Sequence, residues 1–228
     1  MTLDLDLQNS YNSVGKKVFN INSLSQNLIQ ESIDLFTIES LKNKTPRPID
    51  VDVYTLVSGL PFSRVLIDTL LNIENDIMKE LQRTLCYWVK PENLAVEYCV
   101  FKWPKDNWKN SWLEEITNFL DKKHYKAFDF KISGIQLHED GCIIAKGFDD
   151  GFIRNIRSDI MNNLKFLPNK QSNWAHIPLG RILEPVPENV FFKVKQIIRS
   201  LSNINICEEN VIDAKLIHET RWYMEKRE

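Results

Sequence analysis

The chain has 228 residues, which is enough for one large hydrophobic core or two closely joined lobes. Its net charge of −2 excludes a general electrostatic attraction to nucleic acids or anionic membranes, so any phosphate contact needs a local cluster of basic groups. The N-terminal residues lack the order of a signal peptide, and no apolar run reaches the roughly 20 residues that cross a bilayer. The four cysteines form no C-x-x-C pair. These features predict a cytoplasmic protein that does not enter a membrane.

The first fifty residues are predicted to form an extension that precedes the main fold. Residues 1 to about 22 show no regular pattern and are expected to be irregular. Ser23 can cap one helix, in which the following apolar residues recur at about the helical period: Leu24, Leu28, Ile29, Ile33, Phe36 and Ile38. Pro46 and Pro48 end this segment because proline disfavours the helical region in the residue before it. We therefore place a boundary near residue 50, with one domain over 51–228.

From residue 51 onward, strands and helices are expected to alternate. Runs rich in β-branched and aromatic residues predict strands near 51–58, 85–89, 94–102, 126–137, 142–146, 173–182 and 211–224. Apolar residues at the helical period predict helices near 63–82, 108–122, 150–167 and 187–202. Residues 139–141 have the turn chemistry of a β-hairpin. This order predicts an α+β protein.

Two of these strands carry a family resemblance. Residues 173–182, NWAHIPLGRI, form a short apolar strand with His176. This segment resembles the second signature of the two-histidine (2H) phosphoesterases, a superfamily that includes RNA 2',3'-cyclic phosphodiesterases and proteins called RNA 2'-5' ligases. Each signature of that family is His-x-Thr or His-x-Ser. Here Pro178 stands in place of the hydroxyl residue, and in residues 91–101, PENLAVEYCVF, Ala95 and Glu97 replace the first histidine and its threonine.

The resemblance extends over roughly residues 50–224 and is most specific over 134–184, where the spacing His-x-x-Leu-Gly-Arg at 176–181 is a further match. It implies a bilobal fold, in which two antiparallel sheets with flanking helices surround a central cleft. One signature strand of each lobe would line that cleft. The resemblance therefore gives the α+β prediction a specific architecture.

Alternate residues of a strand point to the same face. The residues that would share a face are therefore His176, Pro178 and Gly180 on one strand, and Ala95, Glu97 and Cys99 on the other. Arg181 would point away from the cleft and is expected to be an ion-pair partner rather than a phosphate ligand.

The resemblance also implies a chemistry that this chain does not fully retain. In an intact 2H site one imidazole takes a proton from water and the other protonates the leaving oxygen, without a metal or cofactor. The hydroxyl residues stabilise the charge on the phosphate oxygens. Ala95 supplies neither acid nor base, and Pro178 has neither a hydroxyl nor an N–H group. Glu97 would repel a phosphate by about 4 kcal/mol at 4 Å and an effective dielectric of 20.

The leading hypothesis is a degenerate site that binds a nucleotide, an RNA end or another phosphorylated ligand with little cyclic phosphodiesterase activity. His176 is expected to face the ligand with Glu97 opposite, and Lys102 and Trp174 are weaker candidate contacts. One alternative is a metal-free phosphodiester hydrolase that uses His176 with Glu97, or with another histidine of the chain folded into the cleft: His124, His138 or His218. The other alternative is a scaffold whose surface or N-terminal extension binds a protein partner.

The segment 102–112 interleaves lysines and tryptophans, which is typical of a stacking surface for single-stranded nucleic acid. Trp108 and Trp112 are four residues apart, so they would equally form the core face of a helix. The neighbouring acidic residues favour the helix-core interpretation.

Overall fold

The computed structural model describes residues 5–81, 83–211 and 213–228. The predictions made for residues 1–4, 82 and 212 lie outside this range. The helices are α1 (Leu5–Phe19), α2 (Gln26–Ile33), α3 (Ile38–Lys42), α4 (Arg64–Leu81), α5 (Asn110–Lys122), α6 (Phe152–Asn163) and α7 (Glu188–Leu201). The strands are β1 (Asp50–Gly59), β2 (Cys86–Trp88), β3 (Ala95–Lys102), β4 (Phe128–Leu137), β5 (Cys142–Phe148), β6 (His176–Ile182), β7 (Asn205–Val211), β8 (Lys215–Arg221) and β9 (Lys226–Arg227).

The strands form two antiparallel sheets, one in each lobe. The first sheet has the order β3-β1-β8-β9, and the second has the order β2-β6-β5-β4-β7. The strand β3 lies at an edge of the first sheet and packs against β6 of the second. The predicted α+β class with two antiparallel lobes and flanking helices around a cleft is therefore confirmed.

Two amphipathic helices cover the second lobe. Leu66, Leu70 and Ile77 of α4 recur at the helical period and form its apolar face. This face is buried against the core, and the polar face of the helix is turned to solvent. The helix α7 buries Phe191 and Val194 in the same way. The two helices pack against each other, α4 lies on β7 and α7 lies on β4. The two helices thus form a hydrophobic layer against the second sheet, which also contains β6.

The N-terminal fifty residues differ from the prediction. Three helices, α1, α2 and α3, occupy the described part of this segment, where the sequence analysis predicted one. Residues 5–19 were expected to be irregular and are helical. Tyr11 and Val18 of α1 are fully buried, and α2 packs against β6. The boundary near residue 50 stays a prediction, although the segment before it shares the main core.

The C-terminal region contains a strand that the sequence did not predict. Residues 205–211 form β7, which pairs with β4 at an edge of the second sheet. The strand is mostly polar because one side faces solvent, so its hydrophobic pattern is weak. The strand predicted over 211–224 is shorter, as β8, and is followed by a turn and by β9.

A β-bulge interrupts the first signature strand. Leu56 of β1 pairs with Cys99 and its neighbour Val57 pairs with Glu97, so Tyr98 is the additional residue. A bulge reverses the alternation of side chains beyond it. Cys99 therefore packs in the main core instead of sharing the face of Glu97, and the prediction that placed both on one face was wrong.

A second bulge interrupts the other signature strand. Ile143 of β5 pairs with Gly180 and its neighbour Ile144 pairs with Pro178, which leaves Leu179 as the additional residue. The face changes again beyond this point. Gly180 is buried against the backbone of β2 and does not lie on the face of Pro178, contrary to the prediction.

No helix in the described parts of the chain is long and apolar enough to cross a membrane.

Candidate functional site

A cavity of about 540 Å³ lies between the two lobes, where β3 and β6 meet. Its volume is within the range of small-molecule sites in proteins. The signature residues of both strands contribute to its wall. The lining comprises Glu31, Leu35, Val57, Val89, Asn93, Ala95, Glu97, Trp103, Asp140, Lys170, His176, Pro178, Arg181, Glu219, Trp222, Tyr223 and Met224. The cavity thus joins the side chains that the sequence analysis placed in a common cleft.

On the first signature strand, Ala95 and Glu97 face the cavity. No residue that the structure describes donates a hydrogen bond to the carboxylate of Glu97. Burial raises the pKa of Glu97 to about 7, and the positive charge of Arg157 partly opposes this shift. Arg157 lies behind β3, where its Nε donates to the carbonyl oxygen of Tyr98 at 2.7 Å. Near neutral pH the carboxyl group of Glu97 is therefore divided between its protonated and ionised forms.

On the second signature strand, His176 faces the cavity beside Pro178. Its Nδ1 atom is buried and has no hydrogen-bond partner among the described residues. Burial lowers the pKa of His176 to about 4, and the nearby charges of His138, Arg181 and Arg157 act in the same direction. The imidazole is consequently neutral at pH 7. It can accept a proton or donate one hydrogen bond, but it carries no positive charge for a phosphate.

The C-terminal segment forms a wall of the cavity that the sequence analysis did not identify. Trp222, Tyr223 and Met224 line the cavity, and the last two have positive φ angles of 63° and 55°. Such angles are strained for side chains of this size. Glu219 holds the turn, because its Oε1 accepts a hydrogen bond from the backbone N–H of Met224 at 2.8 Å. Burial raises the pKa of Glu219 to about 7, and the charge of Glu97 contributes to the increase.

Arg181 lines the cavity and also links three parts of the chain. Its guanidinium group donates hydrogen bonds to the hydroxyl groups of Ser32 and Tyr223 and forms an ion pair of 3.0 Å with Asp140. The predicted ion-pair role is confirmed. The prediction that Arg181 points away from the cleft was wrong, since the bulge at Leu179 returns its side chain to the cavity face.

The two weaker candidate contacts lie outside the cavity wall. Lys102 is buried at the far end of β3, where its ammonium group forms an ion pair with Asp52 and lies 5.9 Å from the ring centroid of Trp108. Trp174 lies behind His176, with ring centroids 5.7 Å apart, and its Nε1 donates to the hydroxyl group of Ser10. Trp174 therefore supports the imidazole of His176 from behind.

No second histidine joins His176, which is the only histidine among the described residues that line the cavity. His124 is exposed on the surface. His138 is half-buried against Trp174, with ring centroids 5.2 Å apart. His218 stacks on Tyr54 and contacts Asp52 at 3.0 Å.

The tryptophans of the segment 102–112 have two different environments. The ring centroids of Trp108 and Trp112 lie 5.7 Å apart, and Trp112 stacks on Phe166, so the pair packs in a hydrophobic cluster. The prediction that both lie on one face of a helix was wrong, because α5 begins at Asn110 and Trp108 precedes it. Trp103 instead lines the cavity beside Trp222. The local sequence does not show that Trp103 lines the cavity, because this position depends on how the second lobe packs against the first.

In the parts of the chain that the structure describes, no three histidine, cysteine, aspartate or glutamate side chains are grouped to hold a metal ion. The expectation of chemistry without a metal or cofactor stays a prediction.

The raised pKa of Glu97 gives a prediction about stability. A carboxyl group whose pKa is higher in the folded than in the unfolded protein stabilises the fold at low pH, and this contribution is lost as the pH rises through the folded pKa. We expect Glu97→Gln, which cannot ionise, to be more stable than the wild type by on the order of 2 kcal/mol at pH 8. The two proteins should be equally stable near pH 4.5. Urea unfolding at both pH values measures the difference.

Glu92→Gln is the matched control, because Glu92 is an exposed carboxylate on the same segment. This control should follow the wild type at each pH. A difference between Glu97→Gln and the wild type that does not change with pH would contradict the burial of an ionisable carboxyl group at position 97.

In comparisons with known proteins, the chain is similar to solved structures and to no family model or curated protein. The crystal structure of TT0787 from Thermus thermophilus is 15% identical with a TM-score of 0.48, and the match covers 73% of this chain and 87% of that one. The crystal structure of ATU0111 from Agrobacterium tumefaciens, described as a conserved protein of unknown function, is 12% identical with a TM-score of 0.50. That match covers 67% of this chain and 72% of the other, and at such low identity it supports the fold alone.

Proposed function

We propose that this chain is a 2H-phosphoesterase-like protein whose degenerate site binds a nucleotide, an RNA end or another phosphorylated ligand, with little cyclic phosphodiesterase turnover. One observation carries the proposal. Ala95 and Glu97 of one lobe and His176 and Pro178 of the other line a single cavity. This is the arrangement that the family resemblance requires of its two signatures.

Binding is favoured because the cavity is open and polar groups point into it. The imidazole of His176 and the carboxyl group of Glu97 both line the cavity, and each could exchange a hydrogen bond with a polar ligand atom there. A scaffold with a vestigial cleft is less well supported, because side chains would then be expected to fill the space between the lobes. The alternative of a protein partner on the outer surface is independent of the cavity.

Turnover is disfavoured because the catalytic groups are incomplete. Ala95 provides no second imidazole, and loss of a general acid or base costs about 10² to 10⁴ in rate. Pro178 provides no hydroxyl group for a phosphate oxygen. The neutral His176 and the carboxyl group of Glu97 leave little positive charge to stabilise a phosphorane-like transition state.

The test combines binding and hydrolysis. Purified protein is titrated with 2',3'-cyclic nucleotides by calorimetry, and the products are separated after prolonged incubation. We expect measurable binding with little hydrolysis, and His176→Ala should weaken binding about tenfold through loss of one buried hydrogen-bonding group. His124→Ala removes an exposed histidine outside the cavity and should bind as the wild type does. Absence of binding by every nucleotide would refute the proposal.

A second candidate function is a hydrolase that uses Glu97 as the acid and His176 as the base. It is favoured by one observation, the opposite pKa shifts of the two groups, to about 7 for Glu97 and about 4 for His176. Between these values the imidazole is free to accept a proton and the carboxyl group still holds one. Hydrolysis would then be fastest between about pH 4 and pH 7 and would fall at higher pH. If turnover is rapid, has this pH profile and is lost in both Glu97→Gln and His176→Ala, the protein is a hydrolase and the proposal of a binding protein with little turnover is wrong.

A further inference from the structure

The cavity has a buried end and an exposed rim with different chemistry. Val57, Ala95, Glu219 and Met224 are buried and form its deep end, together with the half-buried Glu97. The rim carries exposed residues from other elements, Glu31 of α2 and Lys170 of the loop that precedes β6. A ligand that enters from the rim therefore presents its leading end to the carboxyl groups of Glu97 and Glu219.

The deep end is a poor site for a phosphate. Its two charged groups are carboxyls, which repel a phosphate when ionised. Among the described residues that line the cavity, only Lys170 and Arg181 are basic. The charge of Arg181 is already balanced by the ion pair with Asp140. Lys170 lies at the rim, where its ammonium group is 5.5 Å from the ring centroid of Trp103 and is exposed to a phosphate from solvent.

The deep end is a good site for hydrogen-bond donors. An ionised carboxylate is an acceptor with two oxygens, and it pairs well with two adjacent N–H groups. Glu97 receives no hydrogen bond from any described residue, so both of its oxygens are available. The amino-bearing edge of guanine offers two adjacent donors, N1–H and the N2 amino group. Uracil has a single N–H between two carbonyl oxygens, so it matches this carboxylate poorly.

The walls suit a flat, largely apolar ring. Val57, Ala95 and Met224 form one apolar cluster at the deep end. Trp103 and Trp222 contribute indole rings to the cavity, with centroids 6.3 Å apart and planes inclined at 51°. Nucleobases stack on aromatic side chains without regard to their sequence. The rings thus supply affinity for a base, and the carboxyl groups select its edge.

We propose that the cavity binds its nucleotide base first, with an amino-bearing base, guanine above all, against Glu97 and Glu219 and the phosphate outward at Lys170. This orientation is the reverse of a phosphate held between the two signature strands. It rests on the proposed function, because it assumes that the ligand is a nucleotide or an RNA end. In this orientation the base, and not the phosphate, lies between the two lobes.

The test is a calorimetric titration at pH 8 with guanosine, uridine, ribose 5-phosphate and guanosine 5'-monophosphate. Guanosine should bind within about tenfold of its monophosphate, whereas uridine and ribose 5-phosphate should bind at least about tenfold more weakly than guanosine. Glu97→Gln should weaken guanosine binding by at least about tenfold. The amide oxygen can accept one N–H group, but the amide NH₂ group is itself a donor and cannot accept the second. Glu92→Gln removes an exposed carboxylate outside the cavity and should bind guanosine as the wild type does. Lys170→Met should weaken binding of the monophosphate by a larger factor than binding of guanosine, because only the monophosphate carries the charge that Lys170 attracts.

The outcomes separate this inference from the proposed function. If ribose 5-phosphate binds as tightly as the monophosphate, or if Glu97→Gln leaves guanosine binding unchanged, the base-first orientation is refuted while nucleotide binding stands. If neither nucleosides nor nucleotides bind, the proposed function fails and the inference fails with it.

Discussion

Rebuilding both signatures with Ala95→His, Glu97→Thr and Pro178→Thr should raise the hydrolysis of 2',3'-cyclic nucleotides by about 10² to 10⁴, the contribution of one general acid or base. The reason is geometric. Positions 95 and 176 both line the cavity, so a histidine at position 95 would add a second imidazole to the same cavity wall. The two threonines would add hydroxyl groups for the phosphate oxygens and remove the repelling carboxylate. The rate is measured by following the products of the cyclic nucleotide over time.

The matched control for this triple variant has Ala95→Gln with the same two threonines. Glutamine adds a polar side chain of similar length that cannot transfer a proton in this pH range. The control should therefore stay near the wild-type rate. Equal rates for the glutamine and histidine variants would show that position 95 does not lie where a second catalytic imidazole must be.

Removal of the guanidinium group in Arg181→Met should lower the stability of the fold by about 2 to 4 kcal/mol. Arg181 joins α2, the β4–β5 hairpin and the C-terminal turn through Ser32, Asp140 and Tyr223. Its loss leaves the half-buried carboxylate of Asp140 without its ion-pair partner. For a chain of this length the expected decrease in Tm is roughly 5 to 15 °C. Thermal unfolding followed by circular dichroism measures it.

Arg64→Met serves as the control for this effect. Arg64 forms an exposed ion pair with Asp68 one turn further along α4, with side chains 88% and 52% accessible. Exposed pairs of this kind contribute about 0.3 to 0.5 kcal/mol. Similar losses of stability in Arg64→Met and Arg181→Met would indicate that Arg181 does not act as the link between the three segments.

Much of the fold could be predicted because local patterns in the sequence decide it. The buried face of α4 follows the helical period, and the predicted hairpin turn lies between β4 and β5. The helix α1 was missed because only a few of its residues are apolar, among them Leu7, Tyr11 and Val18. These residues are buried by tertiary contacts with the core, which the local sequence does not reveal. The strand β7 was missed for a related reason, since a polar edge strand is specified by its partner β4 rather than by its own sequence.

The site was predictable only in part. The period of two along a strand placed Ala95 with Glu97 and His176 with Pro178 correctly, because both pairs precede the bulges. Arg181 lies beyond a bulge, and a bulge in the middle of an apolar strand leaves little trace in the sequence. Distant residues such as Glu219, in β8, reach the cavity through tertiary packing, which one sequence does not reveal.

The most direct test of a ligand-binding cavity between the two signature strands is a nucleotide titration followed by NMR. The protein is labelled at the alanine methyl groups and the histidine rings, and guanosine 5'-monophosphate is added in steps. The signals of Ala95 and His176 should shift together with one dissociation constant, while the exposed His124 stays unchanged. Saturable shifts confined to residues outside the cavity, or no saturable shifts at all, would contradict the account.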